Sequence, residues 1–261
     1  MSELRETCER AARAGARELL SWRGRTNARE KGPADLVTEA DLASQQAIRA
    51  VIGAEYPDHV FVGEEAADAA GALDPERFVW LVDPLDGTTN FVHNYPYYGV
   101  SIAVARGREL LAAVVYDPLA DECFAAEKGC GAKCNGKRLT TSAVSSVADA
   151  LVAVSLPPRV SRDAPDLADF IRVVQVCQAV RRSGSAALNL AYVASGRLDA
   201  FWATQIHPWD VAAGALLVLE AGGVVTGRDG RSFDLWNPHF VAAAGTTLHR
   251  DLLGVLSAGG A

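Results

Sequence analysis

The sequence predicts a layered α/β fold that contains some antiparallel sheet, and three observations support this prediction. Segments with the apolar spacing of helices alternate with short apolar runs that are typical of strands. Over residues 99–127, three such runs are separated only by turn residues, which indicates antiparallel strands. The chain has 261 residues, of which 49% are hydrophobic and 22% are charged, so it contains enough apolar material for a buried core.

The amino-terminal part contains two predicted helices. Apolar side chains recur at helical spacing over residues 3–22, and a polar loop is predicted over residues 23–35. A second helix is expected to begin near Thr38, with Asp41 in its first turn, and to end near Glu55. Two short apolar runs that lead into acidic residues are predicted strands, namely residues 59–62 and 78–82.

The carboxyl-terminal part alternates strands and helices again. The predicted strands are residues 151–155, 179–182, 199–202, 224–226 and 241–245. The predicted helices are residues 166–178, 186–195, 210–221 and 246–257. A soft boundary is predicted over residues 142–149, which divides the chain into parts 1–145 and 146–261 that form one integrated unit.

Charge and cysteine content exclude several classes of protein. The chain has 25 basic and 32 acidic residues, so its net charge of −7 argues against direct nucleic-acid binding by bulk electrostatics. It lacks the ~18 consecutive apolar residues of a membrane span and an apolar signal segment, so we expect a cytoplasmic protein. The odd number of cysteines argues against a disulfide framework, and Cys130 and Cys134 are predicted to be buried or half-buried thiols.

The most informative segment is residues 80–90, WLVDPLDGTTN. A buried strand is predicted to end at Asp83, where Pro84 turns the chain, and Asp86 follows. Bare carboxylates at the end of such a strand are costly, and a hard cation such as Mg²⁺ would remove that cost. Thr88 is predicted to open a helix whose unpaired N–H groups suit a phosphate. The alternative is ordinary turn chemistry with Asp86 as a helix cap.

Further acidic residues and two histidines are weaker candidates for metal ligands. Glu64 and Glu65 follow an apolar run, where a solvated strand end is the alternative. Asp210 precedes an apolar helix, where the alternative is an N-cap worth about 1 kcal/mol. His93 and His207 lie in Pro-containing loops and are expected to be structural.

Five segments, taken in order, resemble the inositol monophosphatase family, the lithium-sensitive, magnesium-dependent phosphomonoesterases related to fructose-1,6-bisphosphatase. They are KGPADLVTEAD (31–41), VGEE (62–65), WLVDPLDGTTNFVH (80–93), RSGSAALN (182–189) and WDVAAG…EAGG (209–223). The third and fifth together form a highly specific signature. The resemblance implies a layered αβαβα sandwich of the sugar-phosphatase type, a homodimer, and Mg²⁺-dependent hydrolysis of a small phosphorylated polyol or sugar. Inositol-1-phosphate is the first choice of substrate.

The resemblance also implies roles for individual residues. The implied ligands of two or three Mg²⁺ ions are Glu64, Asp83, the Leu85 carbonyl, Asp86 and Asp210. The implied catalytic residues are Thr88, paired with Asp41 to orient the attacking water, and Glu64 close by. The implied substrate contacts are Leu85, Asp86, Gly87, Thr88, Gly184, Ser185, Ala186 and Asp210. Glu65 is expected to touch the outer coordination shell or a third ion, and Lys31 to lie in a loop near the metals.

Two positions depart from the family's pattern. Inositol-specific members usually place a Glu where this chain has Ala203, so an acceptor for ring hydroxyls is missing and the case for inositol is weaker. Arg182 occupies a position where relatives often carry a small residue, and it either meets a second phosphate or carboxylate or is a surface or interface residue. The alternative substrates are fructose-1,6-bisphosphate, histidinol phosphate and a nucleotide phosphate. A transcription-associated interaction protein is the alternative outside the enzymes.

Overall fold

A computed structural model describes residues 3–25, 29–32, 35–65, 76–157 and 159–258, with the backbone alone for 29–32 and 35–37. Its helices are α1 (Glu3–Trp22), α2 (Glu39–Glu55), α3 (Thr88–Val92), α4 (Pro165–Val174), α5 (Ala186–Ala194), α6 (Pro208–Glu220) and α7 (Thr246–Ser257). The first nine strands are β1 (Arg29–Gly32), β2 (Asp35–Val37), β3 (Val60–Gly63), β4 (Phe78–Asp86), β5 (Gly99–Arg106), β6 (Glu109–Asp117), β7 (Glu122–Glu127), β8 (Gly131–Cys134) and β9 (Lys137–Arg138). They are followed by β10 (Leu151–Ser155), β11 (Ala179–Arg181), β12 (Ala200–Ala203), β13 (Val224–Gly227) and β14 (Phe240–Ala243).

Two large sheets alternate with three layers of helices. The seven-stranded sheet has the order β3-β4-β5-β6-β7-β8-β9, and the five-stranded sheet has the order β11-β10-β12-β14-β13. Helices α1 and α2 cover the outer face of the first sheet, α5 and α6 lie between the two sheets, and α4 and α7 cover the outer face of the second. This arrangement confirms the αβαβα sandwich. Helices long and apolar enough to cross a membrane do not occur in the part of the chain that the structure describes.

Strand β4 is buried on both faces because helices cover the first sheet from either side. Its side chains alternate between two cores, as the two-residue period of a strand requires. Val79 and Leu81 face the core that contains α5 and α6. Trp80 and Val82 face the core that contains α1 and α2. The run of apolar residues in the sequence therefore marks a strand that helices enclose.

Most of the predicted elements are confirmed, but several boundaries and one burial prediction are wrong. Strand β4 does not end at Asp83 but continues to Asp86, because pairing with β5 resumes after an irregularity. Part of the predicted loop over residues 23–35 forms β1, which pairs with β2. Helix α4 ends at Val174, four residues earlier than predicted. The Cys130 side chain is exposed rather than buried or half-buried. The division into parts 1–145 and 146–261 stays a prediction.

A glycine in α6 allows this helix to pack closely against α5. A Cβ atom placed on Gly214 would lie 2.3 Å from the Cβ and 2.5 Å from the Cδ1 of Leu190. Both distances are well inside van der Waals contact, and backbone movement would be needed to relieve them.

We expect Gly214→Ala to lower the free energy of unfolding by about 1–3 kcal/mol, because the overpacking outweighs the helix propensity gained from alanine. Urea denaturation measures the change. Gly254→Ala in α7 is the matched control, since no atom lies within 4 Å of a Cβ placed there. That variant should be neutral or up to ~1 kcal/mol more stable. Equal stability of the two variants would contradict the packing argument.

Candidate active site

A cavity of about 400 Å³ opens where the carboxyl end of β4 meets the starts of α3, α5 and α6. Most of the site residues expected from the sequence line it, namely Glu64, Asp83, Leu85, Asp86, Gly87, Thr88, Gly184, Ala186 and Asp210. Asp41, Ser185 and Glu65 are not part of this lining. The backbone of Lys31 lies in β1, but its side chain is outside the described part of the structure.

The end of β4 presents two aspartates to the cavity. The pairing of β4 with β5 is irregular between Asp83 and Asp86, so the three-residue spacing brings both carboxylates to the cavity. The Leu85 N–H donates a hydrogen bond of 3.0 Å to Asp83 Oδ1, which holds this carboxylate against the turn. Both aspartates are nearly inaccessible to solvent.

Helix α3 begins directly after this strand. Its N-cap is Gly87, with a φ of 104°, and not Asp86 as the turn alternative required. A Cβ atom on Gly87 would lie 3.0 Å from the Tyr97 carbonyl oxygen, so both the conformation and the space favour glycine here. Thr88 Oγ1 lies 3.1 Å from Asp41 Oδ1 and 3.1 Å from the Leu85 carbonyl oxygen.

Asp41 is a buried member of the capping box at the start of α2. Its Oδ2 accepts hydrogen bonds from the N–H of Thr38 at 2.8 Å and from the hydroxyl of Thr38 at 2.6 Å. Its Oδ1 is directed to Thr88. Burial raises the pKa of Asp41, although the bonds from Thr38 act in the opposite direction.

Asp86 connects the first sheet to the amino end of α5. Its Oδ2 accepts hydrogen bonds of 2.6 Å from the Ser185 hydroxyl and 2.6 Å from the Ala187 N–H. Ser185, the N-cap of α5, therefore lies behind Asp86. Burial raises the pKa of Asp86 to about 6, although these two hydrogen bonds favour its ionised form.

Asp210 is the third residue of α6 and not its N-cap, so the N-cap alternative for this residue is wrong. The cap is His207, whose N–H donates to Asp210 Oδ2 at 2.9 Å. The His207 ring stacks on Trp209 with 4.7 Å between centroids. His93 is exposed at the end of α3, and neither histidine is among the described residues that line the cavity.

The carboxylates of the cavity repel one another. Burial raises the pKa of Asp83 well above its usual range, and the charges of Glu64, Asp86 and Asp210 raise it further. Burial likewise raises the pKa of Asp210, with the charges of Asp86 and Glu64 as the next causes, although the hydrogen bond from the His207 N–H acts in the opposite direction. Carboxyl groups that raise one another's pKa in this way favour a proton or a cation between them.

This donor set fits a hard divalent cation. Every candidate ligand is an oxygen atom, which is the ligand type that Mg²⁺ takes in proteins. Within the described ranges, no three His, Cys, Asp or Glu side chains are spaced as ligands of one ion. The mutual repulsion of the carboxylates that line the cavity nevertheless marks a place that favours positive charge.

Asn90 was not among the residues predicted from the sequence, and it links two walls of the cavity. Its Nδ2 donates to the carbonyl oxygens of Tyr97 at 2.7 Å and Ser183 at 2.8 Å. The hydroxyl of Ser183 in turn donates to Asn189 Oδ1 at 2.5 Å. The sequence feature that could have identified Asn90 as a site residue is its position directly after DGTT, since short polar segments after a strand often line sites.

The two positions that depart from the family's pattern lie in different surroundings. Ala203 is fully buried in β12 and is not among the residues lining the cavity. Arg182 is exposed and lines the cavity, and its guanidinium donates to the carbonyl oxygens of Leu156 at 3.4 Å and Pro157 at 3.3 Å. The structure therefore places a cation, Arg182, in the cavity lining.

Comparison with protein families decides the relationship that these residues suggest. The model of the inositol monophosphatase family matches residues 1–259. The chain belongs to the inositol monophosphatase family. Members of this family are phosphatases and are generally metal-dependent, so this protein is an enzyme that hydrolyses phosphate monoesters of small molecules.

Individual relatives and a solved structure agree with membership of the inositol monophosphatase family. The chain is 44% identical to a protein named Nus factor SuhB from Pseudomonas aeruginosa, over 82% of this chain and 80% of that protein. It is 42% identical to an inositol-1-monophosphatase from Rhizobium meliloti, over 77% and 75%. The structure of an inositol monophosphatase from Anabaena superposes with a TM-score of 0.86 at 34% identity, over 98% of this chain and 95% of the other.

The raised pKa of Asp86 predicts how the stability of the metal-free protein depends on pH. A raised folded-state pKa adds stability below the ordinary value of 3.8, and this stability is lost as the pH rises to about 6. We therefore expect Asp86→Asn, compared with the wild type, to gain stability on the order of 2 kcal/mol as the pH rises from about 4 to about 7. Asparagine retains an oxygen acceptor for Ser185 and Ala187.

Urea denaturation in a buffer with a chelator measures this gain. Asp229→Asn, which changes a carboxylate with a side-chain exposure of 59%, is the control and should follow the wild type. A constant difference between Asp86→Asn and the wild type across this pH range would contradict the prediction.

Proposed function

We propose that this enzyme hydrolyses inositol-1-phosphate to inositol and phosphate in a Mg²⁺-dependent reaction. The observation that carries the proposal is the cluster of carboxylates in one cavity lining, Asp83, Asp86 and Asp210, beside the turn that opens α3. Carboxylates that line one cavity and raise one another's pKa favour positive charge between them, and the unpaired N–H groups of a helix start suit a phosphate. The relative from Rhizobium meliloti that is named inositol-1-monophosphatase supports this substrate.

The residues that would hold two or three Mg²⁺ ions are Glu64, Asp83, the Leu85 carbonyl, Asp86 and Asp210. When bound, the ions would supply Lewis acidity for the phosphate, the attacking water and the leaving oxygen. Glu65 follows Glu64 directly, and its N–H donates to Gln45 Oε1 at 3.2 Å, which holds this turn in place. Glu65 and Lys31 would act near the ions without holding the phosphate.

The turn over residues 85–88 would bind the phosphate, and Thr88 would orient the attacking water. A threonine hydroxyl has one hydrogen and two lone pairs. If that hydrogen is donated to Asp41 Oδ1 at 3.1 Å, a lone pair of Thr88 Oγ1 is left to accept a hydrogen bond from water. Asp41 cannot rotate away, because Thr38 holds its other oxygen. Glu64 would assist as a nearby proton acceptor.

Recognition of the organic part of the substrate would fall to the segment that precedes α5. Gly184 and Ala186 line the cavity on the side of Asp86, and Ser185 holds Asp86 from behind. Arg182 favours a second candidate function, the hydrolysis of a bisphosphate such as fructose-1,6-bisphosphate, because a cation in the cavity lining suits a second phosphate. A homodimer and inhibition by lithium stay predictions from the family resemblance.

A substrate panel with purified enzyme tests the proposal. We expect phosphate release to be fastest with inositol-1-phosphate, compared with fructose-1,6-bisphosphate, histidinol phosphate and a nucleotide phosphate. A chelator should abolish release, and excess Mg²⁺ should restore it. Inositol-1-phosphate ranking last, or activity that survives the chelator, would overturn the proposal. Fructose-1,6-bisphosphate ranking first would favour the second candidate.

Replacement of a single oxygen of Asp83 separates metal binding from folding. Asp83→Asn should lower kcat/KM by about 100- to 1000-fold, because the lost charge no longer supports the transition state. Asp117→Asn is the matched control, since Asp117 is also buried but holds the N–H groups of Leu119 and Ala120. It should keep wild-type turnover, and equal losses in the two variants would argue against the assigned role.

Replacement of Thr88 tests whether its hydroxyl orients the water. Thr88→Ala should lower kcat about 100-fold with little change in KM, because the acceptor for the water is removed. Thr88→Ser keeps the hydroxyl and should recover most of the activity. The steady-state parameters of both variants with inositol-1-phosphate decide the point, and a serine variant as slow as the alanine variant would contradict it.

A further inference from the structure

We propose that Asn90 is a substrate-binding residue whose Oδ1 accepts a hydrogen bond from a hydroxyl of the substrate's organic part. The inference rests on the proposed function, and it names the chemistry that the enzyme selects. The preferred substrates would be phosphate esters of polyols rather than of apolar alcohols. Three observations on Asn90 and its neighbours support it.

The first observation is that the amide of Asn90 has a fixed orientation. Both hydrogens of Nδ2 have acceptors, the carbonyl oxygens of Tyr97 at 2.7 Å and Ser183 at 2.8 Å. Rotation of the amide by 180° would place Oδ1 against these two oxygens and lose both bonds, so the amide does not flip. The side of the amide that carries Oδ1 is therefore an acceptor only.

The second observation is that Oδ1 remains available at the cavity. Asn90 is half-buried and lines the cavity, and no described residue donates a hydrogen bond to its Oδ1. Some polar atoms of the described residues are buried without a hydrogen-bond partner, and Asn90 Oδ1 is not one of them. An acceptor held rigidly at a cavity binds a donor without an ordering cost, and a hydroxyl is such a donor.

The third observation is that the neighbouring glycine keeps this amide uncovered. Gly184 has a φ of 88°, and a Cβ atom placed on it would lie 2.9 Å from Nδ2 and 3.0 Å from Oδ1 of Asn90. A side chain at this position would displace the amide. The positive φ and the close packing at position 184 thus both favour glycine, which leaves Asn90 Oδ1 uncovered.

The surroundings explain why this acceptor matters in this chain. Ala203 provides no polar group, and it is fully buried. The hydroxyl of the next residue, Thr204, is donated to Asp166 Oδ1. The carboxylates that line the cavity are the proposed metal ligands, whereas Asn90 Oδ1 is a neutral acceptor and is not one of them.

Two substrates that differ only in hydroxyl groups test the proposal. Inositol-1-phosphate and cyclohexyl phosphate are both monophosphates of a six-membered ring, and only the first carries further hydroxyls. With Mg²⁺ present, the wild type should prefer inositol-1-phosphate in kcat/KM. Asn90→Ala should reduce this preference about five- to ten-fold, mainly through the KM of inositol-1-phosphate, while kcat/KM for cyclohexyl phosphate changes little.

A second asparagine that bridges backbone groups provides the control. Asn135 Nδ2 donates to the Asp121 carbonyl oxygen at 2.8 Å, and its Oδ1 accepts from the Cys123 N–H at 2.9 Å, away from the cavity. Asn135→Ala should lower stability and leave the preference unchanged. If Asn90→Ala does not fold, Asn90→Leu, which keeps the size of the side chain and has no acceptor, replaces it with the same expected loss.

The outcomes distinguish this inference from the proposed function. An equal loss of kcat/KM for both substrates in the Asn90 variants would show that Asn90 has only a structural role, and it would overturn the inference. A wild type without preference for the hydroxylated ring would overturn it as well. Hydrolysis of neither substrate by the wild type would instead contradict the proposed function.

Discussion

The molecule depends on one electrostatic constraint, which is the presence of several carboxylates at the end of a buried strand. Asp83 and Asp86 leave β4 where helices enclose the first sheet on both faces, so water does not offset their charge. Asp210 and Glu64 line the same cavity, and their charges act on Asp83. Such an arrangement costs stability in a protein without cations, and a protein retains it where it serves binding or chemistry.

The starts of four helices offset part of this cost. Asp41 and Asp210 are the third residues of α2 and α6, and each accepts a backbone N–H in a capping box. Asp86 accepts an N–H from the first turn of α5, and α3 begins two residues after it. Helix starts carry a partial positive charge, so their convergence favours both the carboxylates and an anion bound between them.

Hydrogen bonds from the first sheet and α3 to the starts of α5 and α6 hold this arrangement together. The Ser185 hydroxyl and Asp86 are 99 residues apart in the chain, and Asn90 is 93 residues from the carbonyl it binds at Ser183. The Ser101 hydroxyl donates to the Trp209 carbonyl at 3.1 Å and connects β5 to the start of α6. The cavity therefore exists only once both sheets have packed against α5 and α6.

The sequence by itself determined the layered fold class, nearly all of the elements, and the segments that approach the cavity. These follow from local properties, since the period of apolar residues identifies strands and helices, and the motif around Asp83 carries its own turn chemistry. The tertiary structure alone decided that β4 continues to Asp86, that Asp86 binds the start of α5, and that Asn90 links two walls. Each of these depends on a partner that is distant in the chain, and local spacing carries no information about such partners.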